Sequence, residues 1–157
     1  DVRLDRIGNA VGRIGPGSGR VLLYNGHMDT VGVGDPATWT YDPFGAEIVD
    51  GVMHGRGTSD MKGALAAMVY GCKTLVDRGV PLHGELYLAG AVQEEPCEGL
   101  GMQVLMEQEG LLVDAVVLGA LVWGPVRSGG ARRFLPAAAC LAGMALAIAA
   151  SSNSGPR

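Results

Sequence analysis

The chain has 157 residues, of which 48% are hydrophobic and 18% are charged, and its net charge is -4 at pH 7. This length and composition are typical of one soluble globular domain and exclude a disordered chain. The acidic balance gives no indication of nucleic-acid binding, which requires a clustered basic face.

Cysteine usage and the ends of the chain predict a cytoplasmic protein. The three cysteines are odd in number and widely spaced, which favours a reducing compartment over a disulfide framework. The charged opening at Asp1, without an initiator Met, predicts a chain that begins inside a domain. The apolar stretch 135–150 is shorter than the ~20 residues of a membrane-spanning helix, so no membrane association is expected.

The first half of the chain predicts a strand, a loop and a hairpin. Residues 20–26 form an apolar run bounded by glycine, which indicates a buried strand. Residues 32–45 have the Gly, Asp and Pro content of a loop, with three aromatic residues that belong either to a lid or pocket wall or to the core: Trp39, Tyr41 and Phe44. Residues 47–54 are expected to form a hairpin around the turn pair Asp50 and Gly51.

The next elements alternate between helix and strand. A helical pattern over residues 61–78 follows polar residues and ends at Gly79, which are typical start and stop signals. We then expect a strand over 85–92, a helix over 100–109 and a buried strand over 114–118. This alternation predicts the α/β class with a largely parallel sheet.

The composition changes near Gly119. Every Asp and Glu lies at or before Asp114, and the later residues are mostly Ala, Gly, Arg, Pro and Ser. We therefore divide the chain into a domain over 1–119 and a low-complexity tail over 120–157. The tail resembles out-of-frame translation of a GC-rich gene, and a flexible Ala-rich helix joined to a linker is the alternative.

Chemically active side chains follow the predicted strands. His27 and Asp29 come directly after the first strand, and Glu94 and Glu95 follow the strand over 85–92. Asp60 precedes the long helix. Because ligands of α/β sheets gather beyond the carboxyl ends of strands, we expect these groups to converge. Carboxylates in one cleft repel each other unless cations neutralise them, and this mixture of ligands suits zinc, cobalt or manganese.

Three segments resemble the ordered signatures of the peptidase M20 metallohydrolases: GHMDTV at 26–31, GRGTSDMKG at 55–63 and QEEPCEG at 93–99. That family includes acetylornithine deacetylase, succinyl-diaminopimelate desuccinylase and aminoacylases. The segments TVGVGDPATWTYDPF and QEEPCEGLG are most similar to a hydrolase branch linked to selenium metabolism. The resemblance implies a zinc-peptidase-like α/β/α sandwich, here incomplete, and hydrolysis of amide bonds in N-acyl amino acids or peptides.

The resemblance also implies a role for each matching residue. His27, Asp60 and Glu95 would bind metal, with two Zn²⁺ in an intact site and Asp60 bridging them through a cis peptide to the next residue. Asp29 would orient His27 by accepting its second ring N–H. Glu94 would be the general base. Intact relatives are expected to form homodimers.

The sequence departs from the family pattern at two metal ligands. The family has a carboxylate after the strand DAVVLG, where this chain has Ala120, and a late histidine, whereas no histidine follows His83. We therefore expect the 157-residue chain to be inactive or nearly so.

The same residues also have other interpretations, two for the whole chain and several for single residues. The chain is alternatively a non-catalytic remnant or interaction module that keeps the fold. A nucleotide-binding α/β domain is a second alternative, because Gly55, Gly57 and Lys62 precede a helix, but the sequence lacks a P-loop ending. Taken singly, Asp60 is a helix cap, His54 and His83 are loop residues, and Cys97 packs near the site.

Overall fold

The computed structural model describes residues 1–97 and 99–118. Within that part of the chain, no helix combines the length and the apolar character that crossing a bilayer requires. The strands are β1 Val2–Leu4, β2 Ala10–Ile14, β3 Val21–His27, β4 Ile48–Val49, β5 Val52–Met53, β6 Glu85–Ala91 and β7 Ala115–Leu118. The principal helices are α1 Gly63–Asp77 and α2 Leu100–Gln103, and α2 continues into a wider helical turn, Val104–Gln108.

The central sheet has five strands in the order β1-β2-β6-β3-β7. Strand β3 pairs in parallel with β6 on one side and with β7 on the other, while β1 and β2 complete the edge in antiparallel pairing. The predicted α/β fold with parallel strands 3, 6 and 7 is confirmed. The antiparallel strands β1 and β2 were not predicted.

Two hydrophobic clusters lie on opposite faces of the sheet and make the α/β/α sandwich. On one face, Leu22, Tyr24 and Leu86 pack against two methionines. Met68 lies in α1, and Met61 precedes this helix. The other face carries a second cluster made by Val11, Leu23, Ala89, Leu105 and Leu111. Successive residues of β3 therefore face opposite sides of the sheet, and Leu22, Leu23 and Tyr24 are all buried, which explains why this part of the strand is continuously apolar.

The hairpin prediction is confirmed, and the helix prediction needs one correction. Strands β4 and β5 pair across Asp50 and Gly51, whose φ values of 50° and 79° are both positive, as a type I′ turn requires. Helix α1 ends before Gly79, as predicted. It begins at Gly63 rather than at residue 61, because Asp60 and Met61 have non-helical φ and ψ values.

Residue 98, Gly119 and the whole stretch 120–157 lie outside the described residues. The predicted domain boundary at 119, the tail, the apolar stretch 135–150 and Cys140 therefore remain predictions from sequence.

Candidate metal centre

The candidate centre lies beyond the carboxyl ends of β3 and β6. His27 is the last residue of β3 and pairs with Ala91, the last residue of β6. The chain leaves β3 through α1 to reach β6 on one side, and leaves β6 through α2 to reach β7 on the other side of β3. This reversal of strand order opens a crevice at the edge of the sheet, which is where α/β proteins bind ligands.

Close packing between β3 and α1 fixes the position of His27. A Cβ atom on Gly26 would lie 2.9 Å from the methyl carbons of Met61 and Met68, so glycine lets the helix side chains approach the strand. The main-chain N–H of His27 donates to the Sδ of Met61 at 3.2 Å. As a result only 8% of the His27 side chain is exposed.

The two ring nitrogens of His27 face different partners. Nδ1 lies 3.0 Å from the main-chain oxygen of Asp29, and Nε2 lies 2.9 Å from Oδ1 of Asp60. Because a carbonyl oxygen can only accept, Nδ1 carries a proton and donates it to Asp29. The nearer acceptor is therefore the main chain of Asp29, since its carboxylate Oδ1 lies 3.8 Å away. When the ring is protonated, Nε2 donates to Asp60; in a neutral ring, the Nε2 lone pair points to the same position, as a metal ligand requires.

Acidic neighbours raise the pKa of His27 above its ordinary value. Burial alone lowers this pKa, but the hydrogen bond to Asp60, the bond to the Asp29 carbonyl and the charge of Glu94 together outweigh it. The site therefore favours a positive charge at the position where the imidazole meets the carboxylates.

Asp60 reaches the centre from an irregular segment, Thr58–Lys62. Its φ of -122° and ψ of 97° are extended, and the peptide bond to Met61 is cis, as the resemblance implied. The side chain is 72% exposed and makes no cap on α1, so the interpretation of Asp60 as a helix cap is wrong. At the end of this segment, Nζ of Lys62 donates to the main-chain oxygen of Met28 at 2.6 Å.

Glu94 and Glu95 reach the centre from the turn after β6. Gln93 turns the chain with a φ of 59°. The main-chain N–H of Glu95 donates to Oδ2 of Asp29 at 3.1 Å, and Oε2 of Glu94 lies 4.0 Å from Nε2 of His27. Asp29 thus contacts the His27 ring through its main chain and the turn after β6 through its carboxylate.

The geometry of these side chains fits a divalent cation. Within the described ranges, His27, Asp60 and Glu95 form one group whose ligand atoms all lie within 4.8 Å of one another. Zinc bonds of about 2.0–2.2 Å place ligand atoms roughly 3.3–3.6 Å apart, so small side-chain rotations suffice. Oδ1 of Asp29, beside the group, is also buried without a hydrogen-bond partner. One imidazole nitrogen and two carboxylates are a ligand set that suits zinc, cobalt or manganese.

The remaining predicted residues lie around the centre or away from it. Cys97 is exposed, with Sγ 3.8 Å from Oε1 of Gln93. The ring of His54 packs against Tyr41 at 4.0 Å between centroids, and Arg56 lies over the Trp39 ring at 5.0 Å. Phe44 is 78% exposed, so core filling is wrong for this residue. The apolar groove of about 540 Å³ between α1 and strands β2 and β6 does not include the three candidate ligands.

Asn9 was missed by sequence reasoning. It is fully buried and bonds to the residues at both ends of the connection that carries Glu94 and Glu95. A single asparagine beside a short strand carries no local signal of such a role, because its partners lie more than 80 positions away.

Comparisons with known proteins match the chain to one family. The model of the peptidase family M20/M25/M40 matches residues 23–135. An uncharacterized protein of Escherichia coli K12, YgeY, is 41% identical over 116 residues, which are 74% of this chain and 28% of that protein. A succinyl-diaminopimelate desuccinylase of Rhodospirillum centenum is 38% identical over 118 residues, with coverage of 73% and 30%.

Solved structures show the same fold. An M20 family metallo-carboxypeptidase from Sulfolobus solfataricus superposes with a TM-score of 0.64 at 26% identity, over 75% of this chain and 28% of that one. A dipeptidase from Saccharomyces cerevisiae superposes with a TM-score of 0.58 at 25% identity, over 71% and 24%. The chain thus spans less than a third of the length of these relatives.

Proposed function

Because this chain belongs to the peptidase family M20/M25/M40, we propose that it forms part of a metal-dependent hydrolase that cleaves amide bonds. One observation carries the proposal. His27, Asp60 and Glu95 come from three separate segments, and their ligand atoms meet within 4.8 Å beyond the ends of two parallel strands. Each of the three segments contains one of the motifs that resemble the family.

In this proposal three side chains hold the metal. His27 offers Nε2, because its Nδ1 proton is engaged by the Asp29 carbonyl. Asp60 and Glu95 offer carboxylate oxygens, and the exposed Asp60 has room to contact two ions. Zn²⁺, Co²⁺ or Mn²⁺ bound there would polarise the scissile carbonyl and acidify the attacking water. An intact site of the family would hold two such ions.

Glu94 is the proposed general base. Its side chain is 48% exposed and Oε2 faces the cluster 4.0 Å from Nε2 of His27, so it lies on the side open to substrate. From there it takes a proton from the attacking water and later gives it to the leaving amine. Asp29 holds the arrangement together through its bonds to the His27 ring and to the Glu95 N–H.

The proposed substrates are N-acyl amino acids or small peptides. Relatives named as a desuccinylase and a metallo-carboxypeptidase support this class. We further propose a cytoplasmic location and homodimers for the full-length protein. In the chain itself, residues 1–119 would contribute part of the catalytic domain and 120–157 a low-complexity tail.

Zinc titration of matched histidine variants tests the ligand assignment. We expect His27→Ala to weaken Zn²⁺ binding by at least about tenfold, because it removes the one imidazole of the cluster. His83→Ala is the control, since His83 is exposed in the loop before β6 and should leave the affinity unchanged. Isothermal titration calorimetry measures both.

The titration also separates the enzyme from its main rival. Equal affinities for the two variants would remove His27 from the site. Failure of the unmodified chain to bind zinc would favour a non-catalytic remnant that keeps only the fold.

A further inference from the structure

Asn9 uses its whole side-chain amide to tie distant parts of the chain together. The residue is 0% exposed. Its Oδ1 accepts from the main-chain N–H of Val92 at 2.8 Å, and its Nδ2 donates to the main-chain oxygen of Gly101 at 2.9 Å. Val92 directly follows β6, and Gly101 lies in the first turn of α2. Asn9 therefore holds both ends of the connection from which Glu94 and Glu95 extend.

Asp5 fixes Asn9 in turn. Its Oδ2 accepts from Nδ2 of Asn9 at 2.6 Å, and its Oδ1 accepts three main-chain N–H groups, from Ile7, Gly8 and Asn9, at 2.9–3.0 Å. Because Nδ2 donates both of its protons and Oδ1 accepts, the amide has one orientation only. Hydrogen bonds within the chain therefore fix the position of the Asn9 side chain without any ligand.

The connection after β6 contains a residue whose backbone conformation needs support from its surroundings. Gln93 adopts a φ of 59°, a left-handed conformation that is unfavourable for a non-glycine residue and persists only where the surroundings enforce it. The Val92 N–H bond to Asn9 lies immediately before this residue. At the other end, a Cβ atom on Gly101 would meet Val92 O and lie 2.8 Å from Oδ1 of Asn9, so the two ends are packed in direct contact.

We infer that Asn9 is a positioning residue that presets the Glu94 and Glu95 side chains for metal and substrate. The inference rests on the proposed function, because it concerns the same centre. Asn9 touches neither of the two glutamates and acts through Val92 and Gly101. On the opposite side the turn is held by the bond from the Glu95 N–H to Asp29, so Asn9 and Asp29 fix it from two directions.

The test combines zinc affinity with hydrogen exchange in the unligated chain. Asn9→Ala removes all three hydrogen bonds of the side chain, to Val92, Gly101 and Asp5. Asn9→Ser keeps a small polar group that is too short to reach Val92 and Gly101 together. Glu85→Gln is the matched control, because it disturbs a buried polar group at the opposite end of β6. All titrations are run well below the unfolding temperature of each variant, and Asn9→Ser replaces Asn9→Ala where the latter does not fold.

We expect zinc binding to weaken about tenfold in Asn9→Ala and less in Asn9→Ser, while Glu85→Gln binds like the parent chain. The Val92 amide should exchange faster in Asn9→Ala than in the control. Parent-like affinity together with parent-like exchange in both Asn9 variants would overturn the inference. If the parent chain binds no zinc, the proposed function fails in this chain, and the exchange of Val92 alone then decides the role of Asn9.

Discussion

Glu85, at the start of β6, is a carboxylate held almost entirely inside the protein. Its side chain is 6% exposed, and it accepts from Nε of Arg13 at 2.5 Å and from the main-chain N–H of Gly17. The hydrogen bond from Arg13 outweighs burial and holds the pKa of Glu85 below its ordinary value. A carboxyl group whose pKa is lower in the folded state stabilises the fold above the unfolded-state pKa, and this contribution disappears as the pH falls through the folded-state pKa.

The Glu85→Gln substitution should therefore destabilise the chain in a pH-dependent way. At pH 7 we expect a loss of about 1–3 kcal/mol, because Arg13 and Gly17 lose a charged acceptor. At about pH 2 the parent and the variant should differ less, since protonation of the carboxyl group advances as the pH falls toward and through its lowered folded-state pKa. Urea unfolding at both pH values measures the difference, and Glu47→Gln at an exposed position is the control. An identical loss at both pH values would show that ionisation of Glu85 contributes nothing.

The identity of the clustered residues followed from sequence, but their detailed contacts did not. His27 and Glu95 were predictable because each follows an apolar strand, and strand ends in a parallel sheet meet at one edge. The partner of the His27 Nδ1 was not predictable, because the Asp29 main chain and side chain offer oxygens to the same ring. The role of Asn9 was hidden for another reason: its bonds join positions that only the folded sheet brings together.

At the scale of elements, a glycine lets α2 pack closely against the residue that follows β6. Gly101 lies in α2, where alanine would normally improve helix stability by about 1 kcal/mol. Its Cβ position, however, meets the main-chain oxygen of Val92, which belongs to the backbone and has little freedom to shift. Helix propensity and packing therefore predict opposite signs for the same substitution.

We expect Gly101→Ala to lower the free energy of unfolding by about 1–3 kcal/mol, because overpacking against the backbone outweighs the gain in propensity. Thermal or urea unfolding measures the change. Gly12→Ala in β2 is the control, since its Cβ would lie 3.9 Å from Leu88 O, in ordinary contact, and should be nearly neutral. A stabilised Gly101→Ala chain would mean that α2 is free to move away from the turn.

Elements that sequence predicted correctly have local signals, and the missed ones do not. The turn at Asp50 and Gly51 and the stop at Gly79 follow from residues that tolerate positive φ. Strand β1 is only three residues long and exposed throughout, and β2 is formed by pairing with β6 more than 70 residues later. Such long-range pairing leaves no periodic pattern in a five-residue segment. The late start of α1 depends on the extended backbone at Asp60, which its neighbours in sequence do not encode.

At the scale of the whole molecule, the chain matches only part of the length of its relatives. The chain spans 28–30% of the curated relatives reported above. It brings together three candidate ligands, whereas the resemblance to the family implies two more ligands later in a longer sequence. We therefore expect the purified 157-residue chain to hydrolyse N-acyl amino acids and dipeptides no faster than buffer containing Zn²⁺ or Co²⁺. Amine release monitored over hours measures this, and turnover abolished by Glu94→Gln would contradict the expectation.

The reading frame near codon 119 provides the test of why those ligands are missing. No Asp, Glu, Lys or His occurs after Asp114, although acidic residues alone normally make up about a tenth of a sequence. If translation leaves the original frame there, DNA sequence across codons 118–122 should encode Gly-Glu-Pro after a shift of one base, and this would restore a carboxylate where the chain has Ala120. A chain expressed from the corrected frame should bind Zn²⁺ more tightly than the 157-residue chain, because a further carboxylate joins His27, Asp60 and Glu95. If none of the three frames encodes an acidic residue at that position, the tail is a genuine part of the protein and the out-of-frame explanation is wrong.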